Sequence, residues 1–486
     1  MFENNIVVCE QGALRGKAEA PVTAFLGVPF AAPPIGSNRW RAPQEPAKWA
    51  GVRNAEYYRA APMQAYGMMG DERPVDELSE DCLYLNIWTS ADSAEAKHPV
   101  FVWFYGGAYQ GGRADDPSFC GAELAKRGIV VVTVNYRVNV FGFLCHPDMR
   151  AESAYGTGGN FGFLDQVASL AWIQKNIAAF GGDPDAVTIA GQSAGSASVN
   201  NLMVSPLSRT LFHRAINQSG DVFQPERDIT FDQACEVGVK LCEHFDCANL
   251  DELRQVPAEK FIGKQFDLMM MVLHNACTPV MDGVVFPCAQ GNMLLRNDCM
   301  QIPILLGANT DEGSGGGPGY VQRVTDRLGI SAEPYGNDMI LARDYWYSRH
   351  YAWARIRTEE HGLPTWFYVY NRADGDIGAQ HGAEIPYIFR TLDKIEVGMR
   401  HSVPYTDEDY AFAELISGYW ENFIKTGDPN GEGLPYWPKK NDSQGHMKLD
   451  LVCEMVDDDY IHPNDSTICP AAYAWLKRRV DGEIDG

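Results

Sequence analysis

A chain of 486 residues with 45% hydrophobic and 21% charged side chains can bury a large core, which argues against a disordered or fibrous protein. Its formal net charge of −24 argues against nucleic acid or an anionic membrane surface as a partner. No apolar run approaches the roughly 18 residues of a membrane span, and the twelve cysteines show no C-x-x-C or zinc-like spacing that would hold a metal.

The first strong signal along the chain is Val100-Phe101-Val102-Trp103-Phe104, a continuous apolar run of the kind that forms a strand buried on both faces. It runs into Tyr105-Gly106-Gly107-Ala108-Tyr109, where small residues let the main chain approach a ligand closely. Two glycines would also suit a plain tight turn, but the place after a buried strand favours the N–H groups of Gly107 and Ala108 as donors to an oxyanion. Ile129 to Val134 is a second buried, β-branched run, whereas Phe163, Val167, Leu170, Ile173 and Ile177 recur at helical spacing. This alternation predicts an α/β fold with a mostly parallel central sheet and helices on both faces.

Val187-Thr188-Ile189-Ala190 then leads straight into Gly191-Gln192-Ser193-Ala194-Gly195 and helix-compatible sequence. A serine on a sharp strand-to-helix turn has its hydroxyl pushed into the open, and flanking glycines avoid the clash that the turn would otherwise cause. Ser193 is therefore the candidate nucleophile, and the N–H of Ala194 would join those of Gly107 and Ala108 at one oxyanion.

A serine hydroxyl needs a base to take its proton and a carboxylate to orient that base, in the chain order serine, acid, histidine. Residues 221–300 carry helical patterns such as Gln233 to Phe245, with Met269-Met270-Met271 reading as core more than as pocket lining. Beyond them, Ile302 to Gly307 reads as a strand that ends in Asn309-Thr310-Asp311-Glu312, so one of two adjacent carboxylates is the orienter. The following Gly313 to Gly319 is a low-complexity patch that predicts a mobile loop near the site. Thr365 to Tyr370 is another strand pattern, and the loop after it delivers His381, the favoured base; His401 is a more distant alternative and His361 precedes the strand.

Further segments extend these motifs. Phe25 to Pro34 with Arg39-Trp40-Arg41-Ala42-Pro43, Ser79 to Trp88, Gly159 to Gln166, Phe180 to Pro184 and Thr426-Gly427-Asp428-Pro429-Asn430 complete a series that spans nearly the whole chain. The series resembles the type-B carboxylesterase and cholinesterase-like family of α/β-hydrolases. The resemblance implies one domain over 1–486, with a helical cover and helical excursions around 221–300 and 320–362. It implies Ser193 as nucleophile, Glu312 rather than Asp311 as acid, His381 as base, and Gly107, Ala108 and Ala194 as the oxyanion hole. It also implies a role close to the triad for Ser219, for which a turn hydroxyl is the plainer alternative.

Departures from the family are informative. Gln192 stands where many relatives carry glutamate, and Ala108 replaces a third glycine, but neither change removes a backbone donor. Residues 63–69 contain no tryptophan for a quaternary ammonium, so choline-ester specificity is not implied, although Tyr66 offers an aromatic face and Tyr109 adjoins the oxyanion turn. Relatives bridge the counterpart of Cys82 to an earlier cysteine; here only distant Cys9 precedes it, and Glu252 stands where Cys247 would find its partner. With no signal peptide in Met1 to Asn5, the expectation is a cytoplasmic enzyme.

The reading is thus a serine carboxylesterase that needs no cofactor and releases acid and alcohol through an acyl-enzyme. Its partner is a small-molecule ester, with no nucleic acid and no membrane. The alternatives are hydrolysis of carbamates or activated amides by the same residues and, from another class, a non-catalytic recognition module. Acyl and alcohol preference and oligomeric state are not written in the sequence.

Overall fold

Uninterrupted apolar runs can bury both faces, and the chain uses them to build the middle of a large sheet. A computed structural model describes all residues other than 1, 65–76, 154–155, 225–227, 264–276, 314–318, 336–337, 374, 376–377, 396–403, 444, 458–461, 463 and 485–486. Its strands are β1 (Ile6–Cys9), β2 (Gly12–Glu19), β3 (Val22–Pro29), β4 (Val52–Ala55), β5 (Ala61–Pro62), β6 (Leu78–Ser79), β7 (Tyr84–Thr89) and β8 (His98–Phe104). They continue as β9 (Val130–Val134), β10 (Gly182–Gln192), β11 (Arg214–Gln218), β12 (Ile304–Asn309), β13 (Thr365–Tyr370), β14 (His446–Leu449) and β15 (Glu454–Val456).

Thirteen of these strands form one sheet in the order β1-β2-β3-β7-β9-β8-β10-β11-β12-β13-β14-β15, with β4 paired to β2. From β9 to β14 every neighbouring pair is parallel, and the edges are closed by antiparallel strands. Every residue of β9, β12 and β13 is buried, as their continuous apolar or β-branched sequences demand. The helix Phe161–Asn176 carries the expected helical spacing, and Phe231–His244 begins at a capping box between Thr230 and Gln233.

Register brings the chemistry to one edge. Phe104 lies opposite Gly191, Gln192 opposite Gln218, Gln218 opposite Gly307 and Asn309 opposite Tyr370. The carboxyl ends of β8, β10, β11, β12 and β13 are therefore level, and the loops leaving them carry residues 105–109, 193, 219, 312 and 381. Ligands of open α/β sheets bind at that edge.

The excursions contain the helices Leu250–Gln255 and Gln290–Leu295, and then Tyr320–Leu328 and Asp338–Arg355, the last running into a wider turn at Ile356–Glu360. Met269 to Met271, Tyr66, His401 and residues 314–318 of the glycine-rich patch lie outside the described residues. All twelve cysteines are free thiols. No described helix is long and apolar enough to cross a membrane.

Candidate active site

β10 ends at Gln192 and the helix Ala194–Val204 begins two residues later, so Ser193 alone makes the turn. It does so with φ 59° and ψ −125°, a conformation that costs a non-glycine residue about 1–3 kcal/mol and persists only where surroundings enforce it. Part of that enforcement is visible: the Ser193 N–H donates to the Gln218 carbonyl at 2.9 Å, and the Ser193 carbonyl accepts from Ala197 at 3.0 Å.

The flanking glycines serve closeness rather than unusual dihedrals. A Cβ on Gly191 would lie 2.7 Å from the Phe104 carbonyl oxygen, and one on Gly195 would meet the carbonyls of Phe104 and Tyr105, so strand and helix cross here without room for a methyl group. Ser193 occupies the N-cap position without a side-chain capping bond, which leaves the first N–H groups of the helix facing outward with its positive dipole end.

Opposite them, Gly107, Ala108 and Tyr109 all have positive φ, at 112°, 54° and 62°. The Gly107 carbonyl turns inward to accept from Gln110 at 2.8 Å and Gly111 at 3.2 Å. Neither the Gly107 nor the Ala108 N–H is taken by another described residue. Tyr109 is buried, and its hydroxyl accepts from Ser198 at 3.3 Å and Asn201 at 3.4 Å, both on the helix after Ser193. It ties the oxyanion turn to that helix and does not line the cavity described below.

The two adjacent carboxylates separate cleanly. Asp311 is exposed and accepts from the Ala379 N–H at 2.8 Å, pairing the acid loop with the histidine loop. Glu312 points inward, 3% exposed; its Oε1 accepts from the Asn309 N–H at 2.9 Å and its Oε2 meets His381 Nδ1 at 2.5 Å. Burial disfavours the charged form of His381, but the Glu312 carboxylate, with Glu384 beyond it, outweighs that effect and raises its pKa. His361 binds the Leu295 carbonyl at 2.7 Å and is structural.

Behind this pair lies a buried polar layer that no motif announced. Glu384 is fully buried and accepts from Gln218 at 3.0 Å and Asn309 at 2.8 Å, while Trp420 donates to Gln218 at 3.1 Å. Burial raises the Glu384 pKa, and the Glu312 charge adds to the rise. Ser219 is also fully buried, with φ 52°; its N–H donates to the Gly307 carbonyl at 2.9 Å and its hydroxyl finds no partner among the described residues.

Ser193 and His381 open onto one cavity of about 300 Å³, together with Gly106, Gly107 and Gln192. Aromatic side chains dominate its walls: Trp103, Tyr105, Phe119, Tyr370, Tyr387 and Tyr405. Arg113, Asp116 and Arg372 add charge, although Arg113 already holds Asp115 and Arg372 holds Asp409. The Gln192 amide sits between the oxyanion turn and the histidine loop, its Nε2 being 3.5 Å from where a Cβ on Gly382 would stand. No group of three or more His, Cys, Asp or Glu among the described residues could hold a metal ion.

Such an arrangement can form and hydrolyse a covalent acyl intermediate. The carboxylesterase family model matches residues 3–328 and 337–463. Among curated proteins, the chain is similar to fumonisin B1 esterase of Sphingopyxis macrogoltabida, at 34% identity over 88% of this chain and 83% of that one. It is also similar to carboxylesterase 4A of Bos taurus, at 33% over 91% and 90%, and to cocaine esterase of Homo sapiens, at 32% over 89% and 84%. A solved PNB esterase superposes with a TM-score of 0.84 at 27% identity, covering 98% of this chain and 99% of that one.

Proposed function

This chain belongs to the carboxylesterase family, with the α/β-hydrolase fold and ester hydrolysis as its activity, and from that premise we propose that Ser193 carries the reaction as an acyl-enzyme. His381 takes the proton of Ser193 as the hydroxyl attacks the ester carbonyl. Glu312 holds the ring by its Nδ1 and stabilises the imidazolium that forms. The N–H groups of Gly107, Ala108 and Ala194 receive the developing oxyanion, and His381 returns the proton to the departing alcohol. Water then attacks the acyl-enzyme with His381 again as base, releasing the acid.

The observation that carries this reading is the strained Ser193 facing the same cavity as a histidine already held by a buried carboxylate. The relatives' names cover different esters, so the cavity is the better guide to substrate. At about 300 Å³ it accepts one small to medium moiety, and its aromatic walls favour an apolar or aryl group.

Ser193→Ala tests the assignment, since removing one hydroxyl leaves the fold intact. On an aryl ester, kcat should fall on the order of 10⁴-fold or more, and stoichiometric labelling by an organophosphate should be lost. Labelling that persists at an unchanged site would defeat it.

A further inference from the structure

The helix Asp338–Arg355 lies in the second excursion, yet residues along one of its faces reach the loops that carry Glu312 and His381 and the loop after β11, which packs on the Ser193 turn. Near its start, the Arg343 N–H stands 3.6 Å from where a Cβ on Gly313 would be, directly after Glu312. One turn on, the Trp346 ring meets the His381 ring edge to face, with centroids 5.3 Å apart and planes at 74°. A further turn on, Arg349 is buried and reaches Asp221 through Nε at 3.0 Å and Nη2 at 2.9 Å. Asp221 follows Gly220, whose missing side chain lets it pack on the Ser193 carbonyl. The Arg349 guanidinium also stands 5.7 Å from the Trp346 ring centroid. Trp346 is thus set between a buried cation, anchored behind the serine, and the histidine.

Resting on the roles assigned above, we propose that Trp346 is a positioning residue for His381, holding the plane of the imidazole while Glu312 holds its Nδ1. The need follows from the geometry. His381 sits in a turn, its side chain is 36% exposed to the cavity, and its one described polar contact is with Glu312. A single hydrogen bond leaves the ring free to swing about that contact, and a misplacement of about 1 Å is enough to cost on the order of a hundredfold in rate. A rigid aromatic face against the ring removes that freedom, and Arg349 with Asp221 removes it from the tryptophan in turn. The indole N–H of Trp346 is buried and meets no acceptor among the described residues, so no hydrogen bond to them explains where the ring is placed.

The test compares Trp346→Leu and Trp346→Phe in the full chain, on an aryl acetate whose acyl group is too small to press on the wall. Trp346→Leu should lower kcat about tenfold or more with KM changed less than about threefold, and Trp346→Phe should recover most of the loss. The low-field proton resonance of His381 Nδ1–H should broaden or vanish in the leucine variant and return in the phenylalanine variant. A leucine variant that keeps kcat within about threefold, or loses only KM, would overturn the inference. Should leucine prevent folding, as seen by circular dichroism, Trp346→Met carries the same expectation. Organophosphate labelling of the parent separates the two levels of the reasoning: an unlabelled Ser193 overturns the site assignment and this inference together, whereas a labelled parent with an unaffected leucine variant overturns this inference alone.

Discussion

Replacing Gly106 by alanine isolates the contribution of the oxyanion turn, because the residue lies outside the left-handed region and the change brings no backbone strain. The new methyl carbon would stand 2.7 Å from the Gln192 carbonyl oxygen and 2.9 Å from Ser193 Cβ. Comfortable separations are about 3.5–4.0 Å, so the turn must retreat from the nucleophile by roughly 0.5–1 Å. Both obstacles are at the elbow itself, which the strand β10 and the helix Ala194–Val204 hold on either side, so the turn is the part that yields. The N–H groups of Gly107 and Ala108 move with it. Losing one oxyanion donor costs about 10²–10³ in kcat, and a displacement of this size costs a comparable factor. The expected result is therefore a fall of about a hundredfold in kcat for an aryl ester, with KM little changed and a melting curve that still shows one cooperative transition. Organophosphate labelling of Ser193 should slow in parallel, since it uses the same donors. A folded Gly106→Ala protein with kcat within about threefold of the parent would refute both the clash and the role given to the turn.

Two further predictions concern the acidic limb of kcat/KM, which reports the ionisation of the free base. His381 must be neutral to accept a proton, and its raised pKa places the limb above the ordinary histidine range; activity is full above it and lost as pH falls through it. Glu312→Gln removes the charge that raises the pKa and leaves burial, which opposes protonation, so the limb should move to lower pH while kcat falls on the order of 10³–10⁴-fold. A limb that stays in place would show that Glu312 does not set the ionisation of His381. Gln192→Glu adds a carboxylate beside the histidine loop, so the limb should move to higher pH, by about half to one unit given solvent in the cavity. Downward movement, measured on one neutral aryl ester, would mean that residue 192 does not face His381.

How far the site could be read from sequence follows from how local each signal is. The elbow is five consecutive residues whose types answer one geometric demand, and the parallel strands announce themselves as uninterrupted apolar runs, so Ser193 and β8, β9, β10, β12 and β13 were all legible. Strand ends were less so: β10 begins at Gly182, five residues before its apolar run, because Gly182 pairs with His98 of β8 and the residues between it and Val187 bulge out of register. The edge strand β1 and its antiparallel neighbour β2 alternate too loosely to stand out as strands. Asp311 and Glu312 could not be separated by residue type, and only the family resemblance favoured the second. Their contrast arises because successive residues at a strand end face opposite ways, one toward the Ala379 N–H and one toward His381.

Glu384 and Trp346 were illegible for a different reason, which bears on why they are where they are. Glu384 is held by Gln218 from β11 and Asn309 from β12, and Trp346 touches a histidine 35 residues away in a loop after β13. No spacing rule links such positions, and a tryptophan on an apolar helical face reads as core. Yet the loops that carry Ser193, Glu312 and His381 leave three different strands, and loops are the parts of a fold that ordinarily move most. Their tips must be held to a few tenths of an ångström for proton transfer. Contacts within one loop cannot do that; only side chains that cross between strands can. The buried layer of Gln218, Asn309, Glu384 and Trp420 ties the strand ends from below, and the helix Asp338–Arg355 ties the loops from the side. The cost of burying Glu384 is offset by two hydrogen bonds from side-chain amides, and those bonds join the serine's neighbouring strand to the acid's own.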